Sequence, residues 1–401
     1  MPDAPVPQHC PTPRELDDLE LLTTGALAPV TRFGEPGSPV TLTLPPELAE
    51  APVVELVDPE GLPLARVTTA SGAVETLTHI QYGAFRRLYL SPADVRQRYA
   101  GASFVPTDDA LTDEQLAELA GLGGRVVLLA LVGHGTPALS PVALIRASLA
   151  AAARLGGEVV AVPLAAHGDP EADHALGVRV VATYAGDDPV HALTEPDDGD
   201  YPEEVAAIVA ADRPAPGDQG LVLFFTGLSG SGKSTLAQAL VDRIHEQTDR
   251  TVSSLDGDVV RRHLSAGLTF SKADRETNIR RIGWVAAEIS RHRGLAVCSP
   301  IAPFAQTRQQ VRQLVEDAGG AFFLVHVATP LEECERRDRK GLYAKARAGE
   351  IPEFTGISSP YEEPDDAAVR VDTTGRTIED ALGDVTDALR DAGLLDVSPL
   401  S

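Results

Sequence analysis

The sequence predicts an α/β protein in which a parallel sheet flanked by helices is preceded by a β-rich module and a small α/β unit. After residue 220, strand-like apolar runs alternate with helix-like segments, which is typical of a parallel sheet wrapped by helices. Before about residue 105, short apolar runs broken by Pro and Gly favour short strands. An acidic stretch rich in Pro and Gly, residues 186–220, separates these two parts.

The C-terminal strands are predicted, in chain order, at LVLFFTG, TVSSLD, LAVCSP, AFFLVHV and AVRVDTTG. Helices are expected from Ser234, from Asn278 to Arg291, from Thr307 and over residues 377–392. In the N-terminal half, TDEQLAELAGL predicts a capped helix, RVVLLALVG and EVVAVPLA predict buried strands, and an Ala-rich helix connects the two strands. One short helix is expected in the linker, at residues 203–211. We therefore expect three domains, at residues 1–115, 116–213 and 214–401.

The composition excludes several functional classes. A formal charge of −25 argues against nucleic acid as a partner, because phosphate-tracking surfaces need clustered Lys and Arg. No apolar run approaches the roughly 18 to 20 residues that cross a bilayer, and the N-terminal residues lack the pattern of a signal peptide, so we expect a cytoplasmic protein without a membrane partner. The 3 cysteines are too scattered for a disulfide framework or a zinc cluster.

A phosphate-binding loop is indicated by GLSGSGKS, residues 227–234, which matches G-x-x-x-x-G-K-[ST] between an apolar strand and a helix. Glycines let successive main-chain N–H groups point at phosphate oxygens, and the helix N-terminus adds to their effect. Lys233 would supply a positive charge and Ser234 a Mg²⁺ ligand. The candidate ATP-binding residues are Gly227, Ser229, Gly230, Ser231, Gly232, Lys233, Ser234 and Thr235.

Two acids follow the next strand of the predicted sheet. Asp256 and Asp258 lie where the carboxyl ends of parallel strands open onto a ligand crevice. One could orient water on Mg²⁺ and the other accept the proton of an attacking hydroxyl, although a turn with solvated acids is the alternative. The catalytic candidates are thus Asp256, Asp258 and Lys233, and the metal-binding candidates are Ser234 and Asp256.

A predicted helix carries polar groups suited to an anionic nucleotide. Asp274, Asn278 and Arg281 are spaced at i, i+4 and i+7, so they share one helix face, and Arg275 lies beside it. An exposed helix crossed by ion pairs would explain the neighbouring charges equally well.

Four ordered segments, GLSGSGKST, DGDVVR, FSKADRETNIRRIG and KGLYAKARAGEIPEFTGISSPYE, make residues 220–393 resemble adenylyl-sulfate kinase. This resemblance implies a kinase domain of the P-loop NTPase fold. It also implies Mg²⁺-dependent transfer of the ATP γ-phosphoryl group to the 3′-hydroxyl of adenylyl sulfate, which gives 3′-phosphoadenylyl sulfate (PAPS) and ADP. The family commonly forms homodimers, so a homodimer or higher homo-oligomer is implied as well.

The resemblance also implies residue roles. Asp258 would be the catalytic or acceptor-orienting acid and Asp256 its companion. Phe354 would stack on the adenine of adenylyl sulfate, and residues 340–342 would belong to a mobile segment that closes over both nucleotides. The implied substrate-binding residues are Arg261, Phe270, Arg275, Asn278, Arg281, Ile301, Lys340, Leu342 and Phe354.

Three positions depart from the family pattern. Ala302 stands where many members have a serine to which a phosphoenzyme role has been assigned, and alanine cannot carry phosphate. Direct in-line transfer is therefore the expected mechanism. Arg339 replaces a proline and Ser358 replaces an aspartate, and neither change removes a group that the mechanism needs.

The N-terminal segments LDDLELLTTGALAPVTRF and DPEGLPLARV are similar to the β-rich, PUA-like module of ATP sulfurylase, the enzyme that makes adenylyl sulfate. The Q-x-R-N-P and H-x-x-H motifs of that family are absent, and His134 is interpreted as a loop histidine. We therefore expect a truncated module without sulfurylase activity that docks a separate ATP sulfurylase, sets the oligomeric state or senses nucleotide. A bifunctional sulfurylase–kinase and a non-catalytic nucleotide-binding regulatory subunit are the alternatives.

Overall fold

A computed structural model describes residues 6–194 and 199–397 of the chain. The chain divides into two compact units, one up to Arg213 and one from Pro214 onward. No helix in the described ranges is both long and apolar enough to cross a membrane.

The N-terminal unit begins with a four-stranded sheet of order β1-β2-β3-β4, in which β1 is parallel to β2 and the other pairs are antiparallel. Helix α1 follows β1 and helix α2 follows β4. The bounds are β1 Gln8–His9, α1 Pro13–Thr23, β2 Val53–Val57, β3 Pro63–Thr68, β4 Ala73–Thr76 and α2 Pro92–Arg98. This sheet agrees with the predicted β-rich module, and its PUA-like character stays a prediction.

A three-stranded parallel sheet of order β5-β6-β7 completes this unit. Its elements are β5 Ser103–Thr107, α3 Asp113–Ala120, β6 Val126–Leu131, α4 Pro141–Leu155, β7 Glu158–Val162, α5 Pro170–Ala185 and α6 Glu203–Asp212. Strand β5 precedes the division expected at residue 115, yet it pairs with β6 along its whole length. His134 lies in the loop between β6 and α4, as expected.

The C-terminal unit is built on a five-stranded, fully parallel sheet of order β12-β11-β8-β10-β9. The strands are β8 Leu221–Thr226, β9 Val252–Leu255, β10 Leu295–Cys298, β11 Ala321–Val327 and β12 Val369–Val371. All six residues of the central strand β8 are buried, because helices cover both faces of the sheet. The predicted α/β class and alternating order are confirmed.

Seven helices flank this sheet in the described part of the unit. They are α7 Lys233–Gln247, α8 Gly257–His263, α9 Lys272–Arg291, α10 Ala305–Asp317, α11 Leu331–Arg337, α12 Leu342–Arg347 and α13 Ile378–Asp391. Helices α7 and α13 enclose one apolar core against the sheet, and α9 and α10 enclose a second core on the other face. Loops at the carboxyl ends of β8, β9 and β10 therefore meet at one edge of a rigid sheet.

Candidate active site

The loop of residues 227–234 connects β8 to α7, as the motif predicts. Gly227, Gly230 and Gly232 all have positive φ, at 147°, 77° and 102°. A Cβ atom on Gly227 would lie 2.4 Å from the carbonyl oxygen of Val327, so only glycine fits there. The backbone thus curls in the form that directs amide groups toward a phosphate.

Lys233 is the first residue of α7 and is only 6% exposed. Its Nζ atom donates to the carbonyl oxygen of Leu228 at 2.6 Å and lies 3.5 Å from Oγ of Ser231. Burial lowers the pKa of Lys233 to about 8. The ammonium group thus lies inside the loop, where a phosphate oxygen could replace the carbonyl of Leu228 as its partner.

The lowered pKa of Lys233 predicts the pH dependence of ATP affinity. The ammonium form holds phosphate, and in the ligand-free protein this form is present below pH 8 and is lost above it. We expect the Kd of a non-hydrolysable ATP analogue to be constant below about pH 8 and then to rise about tenfold per pH unit. Calorimetric titration across this range checks the result. Lys233→Arg should flatten the profile because guanidinium stays charged, and a flat wild-type profile would contradict the assignment.

A carboxylate and two hydroxyls converge next to this loop. Asp256 follows β9, Ser299 follows β10, and β10 lies between β9 and the strand that carries the phosphate loop. The Oδ2 atom of Asp256 accepts hydrogen bonds from Oγ of Ser234 at 2.8 Å and from Oγ of Ser299 at 3.0 Å. Oxygen ligands of this kind suit Mg²⁺, which usually keeps several waters and needs only one or two protein ligands beside the phosphates. The donor set therefore fits the implied metal.

Asp258 lies in the first turn of α8, directly after Asp256 and Gly257. The side chain of Asp258 lies outside the part of the chain that the structure describes. Its catalytic role therefore stays a prediction, supported by its place at the carboxyl end of β9 beside Asp256.

The acceptor side begins with an exposed aromatic ring. Phe270 is 63% exposed, and the guanidinium of Arg261 lies 4.3 Å from its ring centroid. The carboxylate of Asp274 already has partners, because it accepts hydrogen bonds from the main-chain N–H and the hydroxyl of Thr269. Arg281 donates to the carbonyl of Leu264 at 3.0 Å. These contacts shape the segment that presents Phe270 to solvent.

Arg275 and Asn278 both lie on α9 and are more buried than Phe270. Arg275 donates from Nη1 to Oγ1 of Thr355 at 2.9 Å and from Nη2 to Oγ of Ser359 at 3.0 Å. Asn278 is 4% exposed, and its Oδ1 atom has no hydrogen-bond partner among the described residues. A buried amide oxygen without a partner is costly, so Asn278 is suited to receive a ligand donor.

The predicted acceptor residue Ile301 lies just beyond β10. Its carbonyl oxygen accepts from the hydroxyl of Thr226 at 2.6 Å, which fixes this segment to the end of β8. The next residue, Ala302, is 1% exposed, has φ of 44° and is anchored through its carbonyl oxygen by Nη1 of Arg308 at 2.8 Å. Position 302 therefore belongs to a buried, hydrogen-bonded turn.

This turn makes Ala302→Ser a direct test of the phosphoenzyme route. We expect the new hydroxyl to be buried, so that incubation with labelled ATP leaves no phosphoserine and kcat stays within about threefold, while the unpaired hydroxyl lowers the free energy of unfolding by about 1–3 kcal/mol. Mass spectrometry and thermal unfolding check both points, with Ala302→Gly as the variant without a hydroxyl. A phosphoserine that turns over at the catalytic rate would contradict direct transfer.

The segment predicted to close over the nucleotides forms a turn and the short helix α12. The carboxylate of Asp338 accepts from the main-chain N–H groups of Tyr343 and Ala344, which fixes the start of this helix. Lys340 lies in the preceding turn and is exposed, and Leu342 is half-buried at the first position of α12. Phe354 is also half-buried and meets the ring of Tyr343 edge-on, with centroids 5.1 Å apart.

Comparison with known proteins agrees with this geometry. Residues 219–372 match the sequence profile of the Adenylylsulphate kinase family. A solved structure described as hexameric APS kinase from Thiobacillus denitrificans is 27% identical, with 98% of this chain and 94% of that chain covered and a TM-score of 0.75. The APS kinase of Mycobacterium tuberculosis, solved in complex with AMPPNP and APS, is 45% identical over 43% of this chain and 98% of that chain, with a TM-score of 0.41. Through residues 219–372, the chain belongs to the adenylyl-sulfate kinase family.

Curated relatives of this adenylyl-sulfate kinase family member are longer proteins. Sulfate adenylyltransferase of Neosartorya fischeri is 46% identical over 198 residues, which cover 49% of this chain and 34% of the relative. The corresponding protein of Phaeosphaeria nodorum is 47% identical over 195 residues with the same coverage. The chain thus spans about a third of the length of these relatives.

Several polar residues of the adenylyl-sulfate kinase unit escaped the sequence reasoning. Thr329 and Thr373 both donate from their hydroxyls to the carbonyl of Ser231 at 2.9 Å, and Arg337 binds Thr373 through its hydroxyl and its carbonyl. These groups support the phosphate loop from β11 and β12. Thr329 and Thr373 each follow a strand end, so the rule that located Asp256 could also have found them, and Ser299 likewise.

Proposed function

We propose that the C-terminal unit transfers the γ-phosphoryl group of ATP to the 3′-hydroxyl of adenylyl sulfate, giving PAPS and ADP in sulfate activation. The arrangement of Lys233, Ser234 and Asp256 carries this proposal, because it places a buried ammonium, a hydroxyl and a carboxylate at the carboxyl edge of one parallel sheet. The family match over residues 219–372 supplies the substrate class.

In this mechanism the chain mainly positions groups and stabilises charge. Amides of the phosphate loop and Lys233 would hold the β- and γ-phosphates. Ser234 and Asp256 would hold Mg²⁺, which supplies charge neutralisation on the phosphate oxygens when bound. Asp258 would orient the ribose hydroxyl and accept its proton. Transfer then proceeds directly, since Ala302 offers no nucleophile.

Aromatic and cationic side chains in the part of the site that binds the phosphoryl acceptor would hold adenylyl sulfate. We propose that Phe354 and Phe270 contact the adenine, because Phe270 is exposed and Phe354 is only half-buried. The guanidinium groups of Arg261, Arg275 and Arg281 would attract the phosphosulfate. Asn278 would accept a hydrogen bond through its Oδ1 atom, which has no partner within residues 6–194 and 199–397 as described. Ile301, Lys340 and Leu342 would complete the contact when the segment around α12 closes.

The test is a phosphoryl-transfer assay with ATP, Mg²⁺ and a panel of acceptors comprising adenylyl sulfate, AMP and adenosine. We expect adenylyl sulfate to be preferred and Lys233→Ala and Asp258→Ala to lose the activity. Chromatography of the products identifies PAPS. Preference for adenosine, or the absence of PAPS with the wild-type protein, would overturn the assignment.

For the N-terminal unit we propose no sulfurylase activity. The relatives named sulfate adenylyltransferase favour testing the bifunctional alternative, because they share half of this chain. Exchange of labelled pyrophosphate into ATP that depends on sulfate would establish that alternative. Docking of a separate ATP sulfurylase is the role that we favour for this unit.

We further propose a homo-oligomer and a cytoplasmic location. The solved relative from Thiobacillus denitrificans is described as hexameric and is similar over 98% of this chain, which supports assembly. Use of ATP as a substrate supports the location. Light scattering of the purified protein measures the mass of the assembly directly.

A further inference from the structure

Tyr343 contacts elements on both sides of the candidate active site. Its side chain is 3% exposed, and its hydroxyl donates to the carbonyl oxygen of Ser229, in the phosphate loop, at 2.8 Å. Its ring meets Phe354 edge-on, with an interplanar angle of 78° and centroids 5.1 Å apart. One buried side chain therefore joins the ATP side to the ring proposed to stack on the acceptor.

The contact with Ser229 has a defined stereochemical effect. The carbonyl of Ser229 and the N–H of Gly230 belong to one planar trans peptide, so they point in opposite directions. A hydroxyl that holds this carbonyl also sets the direction of the Gly230 N–H, which is one of the amides expected to bind phosphate. Gly230 has φ of 77°, in the left-handed region that glycine adopts without strain. The backbone alone leaves the orientation of this peptide open, so the hydrogen bond from Tyr343 can fix it.

The contact with Phe354 connects Tyr343 to a turn that is held in place by hydrogen bonds. Phe354 begins a tight turn in which its carbonyl accepts the N–H groups of Ser358 and Ser359, both at 3.0 Å. Arg275 of α9 holds this turn through Thr355 and Ser359. A shift of the Tyr343 ring would therefore displace the ring of Phe354, whose turn is hydrogen-bonded to α9.

Tyr343 itself cannot shift alone. Its main-chain N–H donates to Asp338 at 3.1 Å, so the residue moves with the start of α12. The first residue of α12, Leu342, belongs to the segment of residues 340–342 that is expected to close over the nucleotides. A change at the phosphate loop would thus reach α12 and Phe354 through the same residue.

We propose that Tyr343 is a positioning residue that couples the two substrate subsites, an inference that rests on the function proposed above. Phosphates that bind the loop would fix the peptide between Ser229 and Gly230, and Tyr343 would transmit that order to Phe354. Coupling between two sites is reciprocal, so each substrate raises the affinity of the other by the same factor.

The test measures this factor by equilibrium binding. Kd values for AMPPNP and for adenylyl sulfate are determined alone and with the other ligand at saturation. The coupling ratio is the Kd of one ligand alone divided by its Kd with the other ligand at saturation. We expect this ratio to be at least about 3 to 10 in the wild-type protein and to fall toward one in Tyr343→Phe, a change of the size that the loss of one hydrogen bond allows. The Kd of adenylyl sulfate alone should stay within about twofold, because the ring that contacts Phe354 remains.

Tyr184→Phe is the matched control. Tyr184 is also buried, and its hydroxyl also donates to a main-chain carbonyl, that of Leu90 at 3.1 Å, within the N-terminal unit. This control should keep the wild-type ratio. Phe354→Leu keeps the bond to Ser229 but removes the ring contact, so it should lower the ratio as Tyr343→Phe does.

Each outcome decides one question. A wild-type ratio of one, or an unchanged ratio in Tyr343→Phe, would overturn the coupling role. If Tyr343→Phe does not fold, the test of the coupling role rests on Phe354→Leu. An unchanged ratio in Phe354→Leu would likewise overturn the coupling role. Failure of the wild-type protein to bind adenylyl sulfate at all would instead remove the proposed function, which is a separate result from the same titration.

Discussion

Replacing Lys233 by Met is expected to lower kcat/KM by about 10³-fold or more while leaving the fold intact. The ammonium is the one charge that the phosphate loop itself supplies, and it is buried where electrostatic interactions are strong. Methionine is unbranched and only one atom shorter than lysine, so little cavity forms. Steady-state kinetics with ATP and adenylyl sulfate measure the loss.

Thermal unfolding distinguishes this catalytic loss from damage to the protein. Burial lowers the pKa of Lys233 to about 8, which means that the folded state disfavours the charge. Removing that charge should therefore leave the Tm of the ligand-free protein unchanged or raise it at pH 7. Lys345→Ala, at an exposed lysine of α12, is the control and should keep kcat/KM within about twofold. More than a tenth of the wild-type rate in Lys233→Met would contradict the role of this residue.

The phosphate loop could be predicted from sequence because its determinants are local. The preceding strand, the glycine positions and the lysine lie within residues 221–234, and α7 begins at Lys233, as expected. The strand order could not be predicted in the same way, since β8 lies at the centre only through pairing with β10 and β11, which are distant in sequence. The carboxyl-end rule then located Asp256 correctly without knowledge of that order.

The apolar pattern does not reveal three N-terminal helices, α1, α2 and α5, although each has a start signal in the sequence. Helix α1 begins with a capping box between Thr12 and Glu15, with Pro13 at its first position. Helix α5 begins with Asp169 as N-cap followed by a proline. Helices α1 and α2 lie in the part of the chain predicted to be mostly strand, and α5 lies between the last strand predicted in the α/β unit and the linker, so their caps are the signal that predicts them.

The roles of single polar residues were hardest to predict because they depend on tertiary partners. Helical spacing predicts Asp274 on the face that contacts the nucleotide, yet its carboxylate accepts a hydrogen bond from the main-chain N–H of Thr269. The sequence indicates Tyr343 only as part of a segment that resembles the family. Its proposed role depends on the hydrogen bond to Ser229, which is distant in sequence. Ser358, which replaces the aspartate of the family pattern, accepts the main-chain N–H of Phe354 at 2.9 Å. Either residue type can make that bond, which explains why the replacement is tolerated.

Asp256→Asn tests the proposed metal site most directly, and we expect it to lower kcat by about 10²- to 10³-fold and to raise the Mg²⁺ concentration needed for half-maximal rate. The carboxylate accepts hydrogen bonds from Ser234 and Ser299, so its negative charge lies where the ion and the phosphates would meet. An amide keeps the shape and one acceptor oxygen but removes the charge that attracts Mg²⁺.

Ser299→Ala provides the matched control for this experiment. It removes the hydrogen bond from the hydroxyl of Ser299 to Asp256 and leaves the carboxylate charged. We expect a decrease in kcat of only about 2- to 10-fold, with little change in the Mg²⁺ requirement. Rate measurements over a range of Mg²⁺ concentrations separate the two variants. If Asp256→Asn matched Ser299→Ala in both respects, the carboxylate would be acting only as a hydrogen-bond acceptor, and the metal-binding role of Asp256 would be wrong.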